Sequence, residues 1–289
     1  MKCDKAMNWK TCLLFIIPQH LFSRFSGWLS RRKARWFKLF SIRWFIRTYK
    51  VNVNEAVITD LDAYPTFNAF FIRKLRPETR PIVSDPKSIV SPVDGHVSEF
   101  GTIQHGTLIQ AKQHEYQLNE LVVDTSLAER LQQGSYCTVY LAPQYYHRVH
   151  MPMTGQLKRM IYVPGRLFSV NTQSVQHVER LFARNERVVC EFATELGDMV
   201  VILVGACQVG NIVTSWHGQV APNPQRKVQI WDYLDQNILL QKGEELGYFT
   251  LGSTVIVLFP PNQMHWHENI QKNQTLRMGE WLGYISPSS

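Results

Sequence analysis

From about residue 88 onward, apolar residues come in short runs at 88–97, 107–111, 135–141, 156–163, 188–192, 199–216 and 245–259, separated by turn-forming residues. Runs of this length, rich in Val, Ile and aromatic residues, predict strands. Only 126–132 and 174–182 carry helical spacing between them. With so few crossover helices, the strands are expected to form an antiparallel or mixed β-rich core. The N-terminal part reads differently. Over 28–48 a helical period places Leu29, Trp36, Phe37, Phe40 and Trp44 on one side, and Arg31, Arg35 and Lys38 on the other. Residues 51–85 read as a helical connector, with Thr66 as N-cap of a helix over 67–75 that Pro77 and Pro81 close. Its cationic end, Arg73, Lys74, Arg76 and Arg80, reads equally well as a phosphate contact and as a solvated helix terminus.

Charge sharpens the N-terminal reading. The chain has 289 residues and a net charge of +8. Through residue 50 there are twelve basic residues and one acid, Asp4. Such asymmetry points to an anionic surface, either nucleic acid or acidic lipid. Trp and Phe outnumber the polar side chains that read bases, which favours a lipid surface. An amphipathic helix can also dock on its own protein, and both contacts can hold on different faces. The apolar run 12–17 stops at Pro18, well short of the roughly 20 residues that span a bilayer. Cys3, Cys12, Cys137, Cys190 and Cys207 are odd in number and scattered, so no disulfide framework is expected and a reducing compartment fits.

The chemistry centres on 249–259, a strand-like run interrupted by Gly252-Ser253. Glycine lacks Cβ, so the Ser253 hydroxyl can fold onto the Gly252 carbonyl at low steric cost and turn the amide into an ester. Removal of the Ser253 α-proton then eliminates the ester. The chain breaks, and the dehydroalanine left behind hydrolyses to a pyruvoyl group with loss of ammonia. Read alone, the same Gly-Ser pair is an ordinary bulge in a core strand. Two earlier stretches offer groups to serve it. Ser91-Pro92-Val93-Asp94-Gly95-His96 places an acid in a turn, and Tyr145-Tyr146-His147-Arg148-Val149-His150-Met151-Pro152 carries two histidines three apart. On a regular strand these face opposite sides, so both serve one site only if the backbone turns. Asp94, then His150 or His147, then Ser253 is a triad order. No exposed G-x-S-x-G elbow accompanies it.

Together with Tyr162-Val163-Pro164-Gly165-Arg166-Leu167-Phe168-Ser169-Val170-Asn171, Leu181-Phe182-Ala183-Arg184-Asn185-Glu186-Arg187 and Leu251-Gly252-Ser253-Thr254, these stretches resemble phosphatidylserine decarboxylase of the bacterial membrane type, a pyruvoyl enzyme. The resemblance runs from about Ala69 past Phe259, and the basic N-terminal segment is similar in character. It departs at Val93, where a smaller residue is common, and at Tyr145, where an acid is frequent. The resemblance implies self-cleavage between Gly252 and Ser253, giving a large chain 1–252 and a small chain 253–289. Asp94 and His150 complete the self-cleavage triad, and His147 assists decarboxylation or reprotonation.

The implied reaction converts phosphatidylserine to phosphatidylethanolamine and carbon dioxide through a Schiff base on the pyruvoyl group from Ser253, with no metal. His265 and His267 lack a nearby companion ligand and read as surface residues. The expected fold is α+β: a β-rich, barrel-sandwich-like core with an N-terminal amphipathic helical membrane-docking segment. Residues 1–60 form that segment and 61–289 the catalytic domain. Expected partners are the phospholipid membrane, the lipid substrate, and the two chains of one precursor. A homodimer of the processed unit is left open, and no nucleic acid is expected. The location implied is the cytoplasmic face of the bacterial inner membrane, held peripherally. Two rivals remain: a membrane-associated Asp-His-Ser hydrolase that keeps its chain whole, and a noncatalytic lipid- or RNA-binding β module indifferent to Ser253→Ala.

Overall fold

The computed structural model describes residues 30–111, 114–206, 211–223, 225–250 and 253–286. Seven elements bear on the site: helix α1 (Arg35–Tyr49), helix α2 (Phe67–Phe71), and strands β1 (Gly95–Thr102), β2 (Ser135–Leu141), β3 (Arg148–His150), β4 (Glu245–Phe249) and β5 (Ser253–Phe259).

The largest sheet has nine strands. Its order is Gln229–Asp232, Gly155–Val163, Arg187–Thr194, Gly197–Val204, β5, β2, β1 and Thr275–Leu276, with Leu239–Leu240 also pairing on Gly155–Val163. Every pairing in it is antiparallel. The path ends in two short unpaired edges, so the barrel closure expected from the sequence does not form among the described residues. The middle strands are buried on both faces, which is why Met199–Val204 and Thr254–Phe259 read as unbroken apolar runs rather than alternating ones.

The run 245–259 is two strands in different sheets. β5 pairs with β2 and with Gly197–Val204, whereas β4 pairs with β3 and with Ile212–Thr214 in a four-stranded sheet. The chain changes sheets between residues 249 and 253. The expected strand over 199–216 divides in the same way, into Gly197–Val204 and Ile212–Thr214.

The N-terminal helix forms, with its faces assigned differently from the sequence expectation. α1 buries Lys38, Ile42 and Phe45. These pack into a small core with Tyr64, Phe70 and Phe71, a cluster that crosses residue 60. Lys38 was placed on the solvent side, but its Nζ donates to the Asp62 carbonyl at 2.8 Å and to Asp62 Oδ1 at 3.1 Å. A buried ammonium needs such partners. Trp36, Phe40 and Trp44, spaced one turn apart, are left 76%, 67% and 54% exposed. α2 starts at the expected cap, where Thr66 Oγ1 accepts from Ala69 N at 3.1 Å, but it ends at Phe71, short of 75. Among the described residues, no helix is long and apolar enough to cross a membrane.

Candidate active site

Ser253 is the first residue of β5 and lies opposite Leu141. Its side chain is fully buried, and Oγ has no hydrogen-bond partner among the described residues. Leaving a buried hydroxyl unmatched costs about 1–3 kcal/mol, so such a group calls for an explanation beyond packing. Gly252 lies outside the described residues. Four residues before Ser253, Phe249 N donates to His147 O at 3.1 Å. Ser253 is thus held beside Leu141 and Phe249 beside His147.

Strand register brings Asp94 to the same sheet end. His96 lies opposite Tyr140, which lies opposite Thr254, so Gly95, Leu141 and Ser253 form the next row. Two strand spacings put the Asp94 and Ser253 backbones about 10 Å apart. Asp94 is buried and accepts from Arg80: Nε reaches Oδ1 at 2.8 Å and Oδ2 at 3.1 Å, and Nη2 reaches Oδ2 at 2.5 Å. Met278 N donates to Oδ1 at 2.9 Å, and Arg80 Nη2 also reaches Glu55 Oε2 at 2.9 Å.

The two histidine-bearing turns are knit together by backbone: His150 N donates to Pro92 O at 2.8 Å, and Val90 N to Pro152 O at 2.9 Å. His150 belongs to β3, while His147 precedes that strand after a turn at 143–145. That turn precedes both histidines rather than separating them, and both residues are nonetheless buried. His150 Nδ1 lies 2.9 Å from Gly243 O and Nε2 lies 3.2 Å from the Tyr146 hydroxyl. A carbonyl only accepts, so Nδ1 carries the proton and Nε2 holds the lone pair, with Tyr146 donating to it. Burial lowers the proton affinity of His150, partly offset by the Gly243 carbonyl and Glu245. Asp94 reaches His150 only through its field, without a hydrogen bond between them.

His147 is fully enclosed, with its ring stacked on Phe71 at 4.3 Å. Burial first, then the charge of Arg73, pushes its pKa down to about 3, and the Pro143 and Ala142 carbonyls oppose the shift. Neither ring nitrogen has a hydrogen-bond partner among the described residues. Both histidines are therefore neutral at neutral pH, the form in which a nitrogen lone pair can take a proton.

A cavity of about 830 Å³ opens beside the same strands, lined by His96, Gln110, Tyr140, Ala142, Thr172 and Lys272, among others. Paired residues share a face, so His96 and Tyr140 lie on the side of the sheet opposite Leu141 and Ser253. The cavity and the Ser253 hydroxyl are separated by the sheet.

Three residues here escaped the sequence reading. Tyr146 holds His150, Phe71 stacks on His147, and Arg80 grips Asp94, where the sequence reading leaves Arg73 and Arg80 in a cationic helix end open to phosphate or to solvent. Both arginines are buried. No periodicity marks Tyr146, because it sits between elements. The stretches 162–171 and 181–187 turn out to hold each other: Asn185 bonds Phe168 N and O at 3.0 and 2.9 Å, and Tyr162 donates to Glu186 at 2.6 Å. A Cβ on Gly165 would meet the Arg184 carbonyl at 2.5 Å.

The phosphatidylserine decarboxylase family model matches residues 67–284, and a second, described as PSD, matches residues 9–50. The chain is 49% identical over 271 residues to a phosphatidylserine decarboxylase proenzyme of Coxiella burnetii (strain RSA 331 / Henzerling II), covering 93% of this chain and 96% of that one. It is 49% identical over 272 residues to the proenzyme of Pseudomonas putida (strain W619), covering 93% and 94% respectively.

Proposed function

The chain belongs to the phosphatidylserine decarboxylase family, and from that premise we propose that it releases carbon dioxide from phosphatidylserine after cutting itself between Gly252 and Ser253. The observation that carries this reading is the buried, unpartnered Ser253 hydroxyl at the point where the chain passes between sheets. A hydroxyl with no competing partner is free to attack the adjoining carbonyl. A neutral histidine at the same sheet end can take its proton.

In this reading Ser253 Oγ adds to the Gly252 carbonyl carbon while His150 Nε2 accepts its proton, a role that requires Tyr146 to release that nitrogen; the proton then passes to the Ser253 nitrogen as the C–N bond breaks, leaving an ester. Asp94 favours the protonated imidazole through its field and is itself fixed by Arg80. Loss of the Ser253 α-proton expels the Gly252 carboxylate, and hydrolysis with loss of ammonia leaves the pyruvoyl ketone. The orphaned hydroxyl in an enclosed site fits the origin of that group. When present, the ketone supplies an electron sink for the bond to the departing carboxylate. His147, kept neutral by burial, is placed to move the proton that replaces carbon dioxide. Ser253 is fully buried, so lipid reaches this position only after the chain break lets the segment move.

The docking element in this reading is α1, which presents Trp36, Phe40 and Trp44 outward with Arg43 and Arg47 exposed beside them. Aromatic side chains and cations on one exposed face suit an anionic bilayer surface. The same reading has the protein bind peripherally at the cytoplasmic face of the bacterial inner membrane, with residues 1–60 serving docking and 61–289 catalysis.

The test is intact mass under denaturing conditions with carbon dioxide release from phosphatidylserine. The expected result is two fragments split after Gly252, the smaller with a blocked, hydrazine-reactive end. Ser253→Ala should remain one chain without turnover. An unbroken chain with a free Ser253 that still decarboxylates would overturn the proposal, and fluorophosphonate labelling of an uncut chain would favour the hydrolase.

A further inference from the structure

Three arginines surround the histidines, and two of them are matched. Arg80 takes Asp94 and Glu55, and Arg148 takes both oxygens of Glu245 at 2.6 and 2.8 Å and the Ile72 carbonyl at 2.9 Å. The third, Arg73, is not. It is 5% exposed, and its Nε and Nη1 are enclosed with no hydrogen-bond partner among the described residues. Its guanidinium lies over the Phe70 ring at 5.2 Å. An aromatic face contributes far less than burying an unpaired ion costs. The acids whose charge reaches Arg73, Asp94 and Glu55, both already bond Arg80. The Arg73 charge is felt by His147, which stacks on the neighbouring Phe71. A buried guanidinium beside His147, with Nε and Nη1 unmatched among the described residues, is a built receptor for an oxyanion.

We propose that Arg73 receives the phosphodiester of the lipid headgroup and thereby positions the substrate beside His147. The inference rests on the decarboxylase reading and names the residue that reads the headgroup. The substrate carries two anionic groups, and the chemistry selects between them. An arginine paired to the carboxylate would stabilise the ground state against loss of carbon dioxide and raise the barrier. The phosphodiester keeps its charge throughout, so pairing with it costs nothing at the chemical step. Such uniform binding appears in KM more than in kcat.

The test uses the full-length protein and dihexanoylphosphatidylethanolamine, which keeps the phosphodiester and lacks the carboxylate. Arg73→Gln should weaken its binding by about 10- to 100-fold, the worth of a charge-assisted contact, and weaken dihexanoylphosphatidylserine equally. Arg73→Lys should recover part of the loss, since a point charge replaces the fork. With phosphatidylserine as substrate, KM should rise while kcat falls much less.

Unchanged phosphatidylethanolamine binding in both variants, or a loss confined to phosphatidylserine, would overturn the proposal; the second result would place the carboxylate at Arg73. Displacement of the lipid by inorganic phosphate at equal concentration would also overturn it, because the site would then not read the lipid. If Arg73→Gln fails to fold, Arg73→Lys decides, and unchanged affinity there counts against the proposal. Failure of the wild-type protein to release carbon dioxide would sink the decarboxylase reading while leaving the phosphatidylethanolamine binding result to judge Arg73.

Discussion

At Asp94 the partner decides the role. A carboxylate in a turn ordinarily bonds its own backbone; here two arginine nitrogens and the Met278 amide reach it from residues distant in sequence. Asp94→Asn should therefore destabilise the fold by about 3–5 kcal/mol, toward the lower end because Glu55 still holds Arg80, as read by urea unfolding. A loss of self-cleavage without a loss of stability would instead assign Asp94 a purely chemical task. His147 makes a pH prediction. Its folded-state pKa of about 3 lies below the ordinary 6.5, so between those values the unfolded chain binds more protons. Stability should fall as pH drops through that window. His147→Gln should flatten the slope by up to about 1.4 kcal/mol per pH unit, measured by denaturant midpoints from pH 7 to 4.

At the level of elements, β1 reaches its place only because Gly95 lets it. A Cβ there would meet the Tyr140 carbonyl oxygen and Val139 Cγ1, each at 2.6 Å. Backbone cannot yield as a flexible side chain does. Gly95→Ala should push β1 from β2, displace the adjoining Asp94, and slow self-cleavage at least 10-fold along with a lowered Tm. Helix α1 is more than an appendage, because Phe45 touches Phe71 at 5.8 Å and Phe71 stacks on His147. Deleting residues 1–50 would strip Ile42 and Phe45 from that small core as well as removing the docking face. The combined substitution of Trp36, Phe40 and Trp44 by Ser separates the two effects. It should abolish sedimentation with anionic vesicles and leave the Tm within a few degrees, since these side chains are exposed.

For the whole molecule, the proposed cut lies between strands of two different sheets, β4 and β5. The segment after Ser253 supplies β5, buried between β2 and Gly197–Val204, and also Thr275–Leu276 and Trp281–Ile285, which pair with β1 and Ser88–Val90. Breaking one peptide removes none of these ladders. The two fragments should co-elute at the native mass of the intact chain and separate only in denaturant. Fragments that part in native buffer would contradict this architecture.

Sequence alone determined what depends on neighbours along the chain. The antiparallel β-rich core, the Thr66 cap and an amphipathic N-terminal helix rest on local propensity and periodicity, and the proposal for Gly252-Ser253 starts from the missing Cβ of glycine. The stretches around Asp94, His147, His150 and Ser253 were legible as chemistry for the same reason. Tertiary structure decided what depends on residues far apart: that 245–259 divides between two sheets, that Lys38 turns inward to Asp62, and that Asp94 belongs to Arg80 and His150 to Tyr146 and Gly243. Partner choice for a buried charge is settled by the groups the packed fold brings within hydrogen-bond reach, and no pattern along the chain encodes it. Arg73, read from sequence as one of four cations at a helix end, becomes a buried cation whose Nε and Nη1 lack a hydrogen-bond partner among the described residues only once the chain has folded around it.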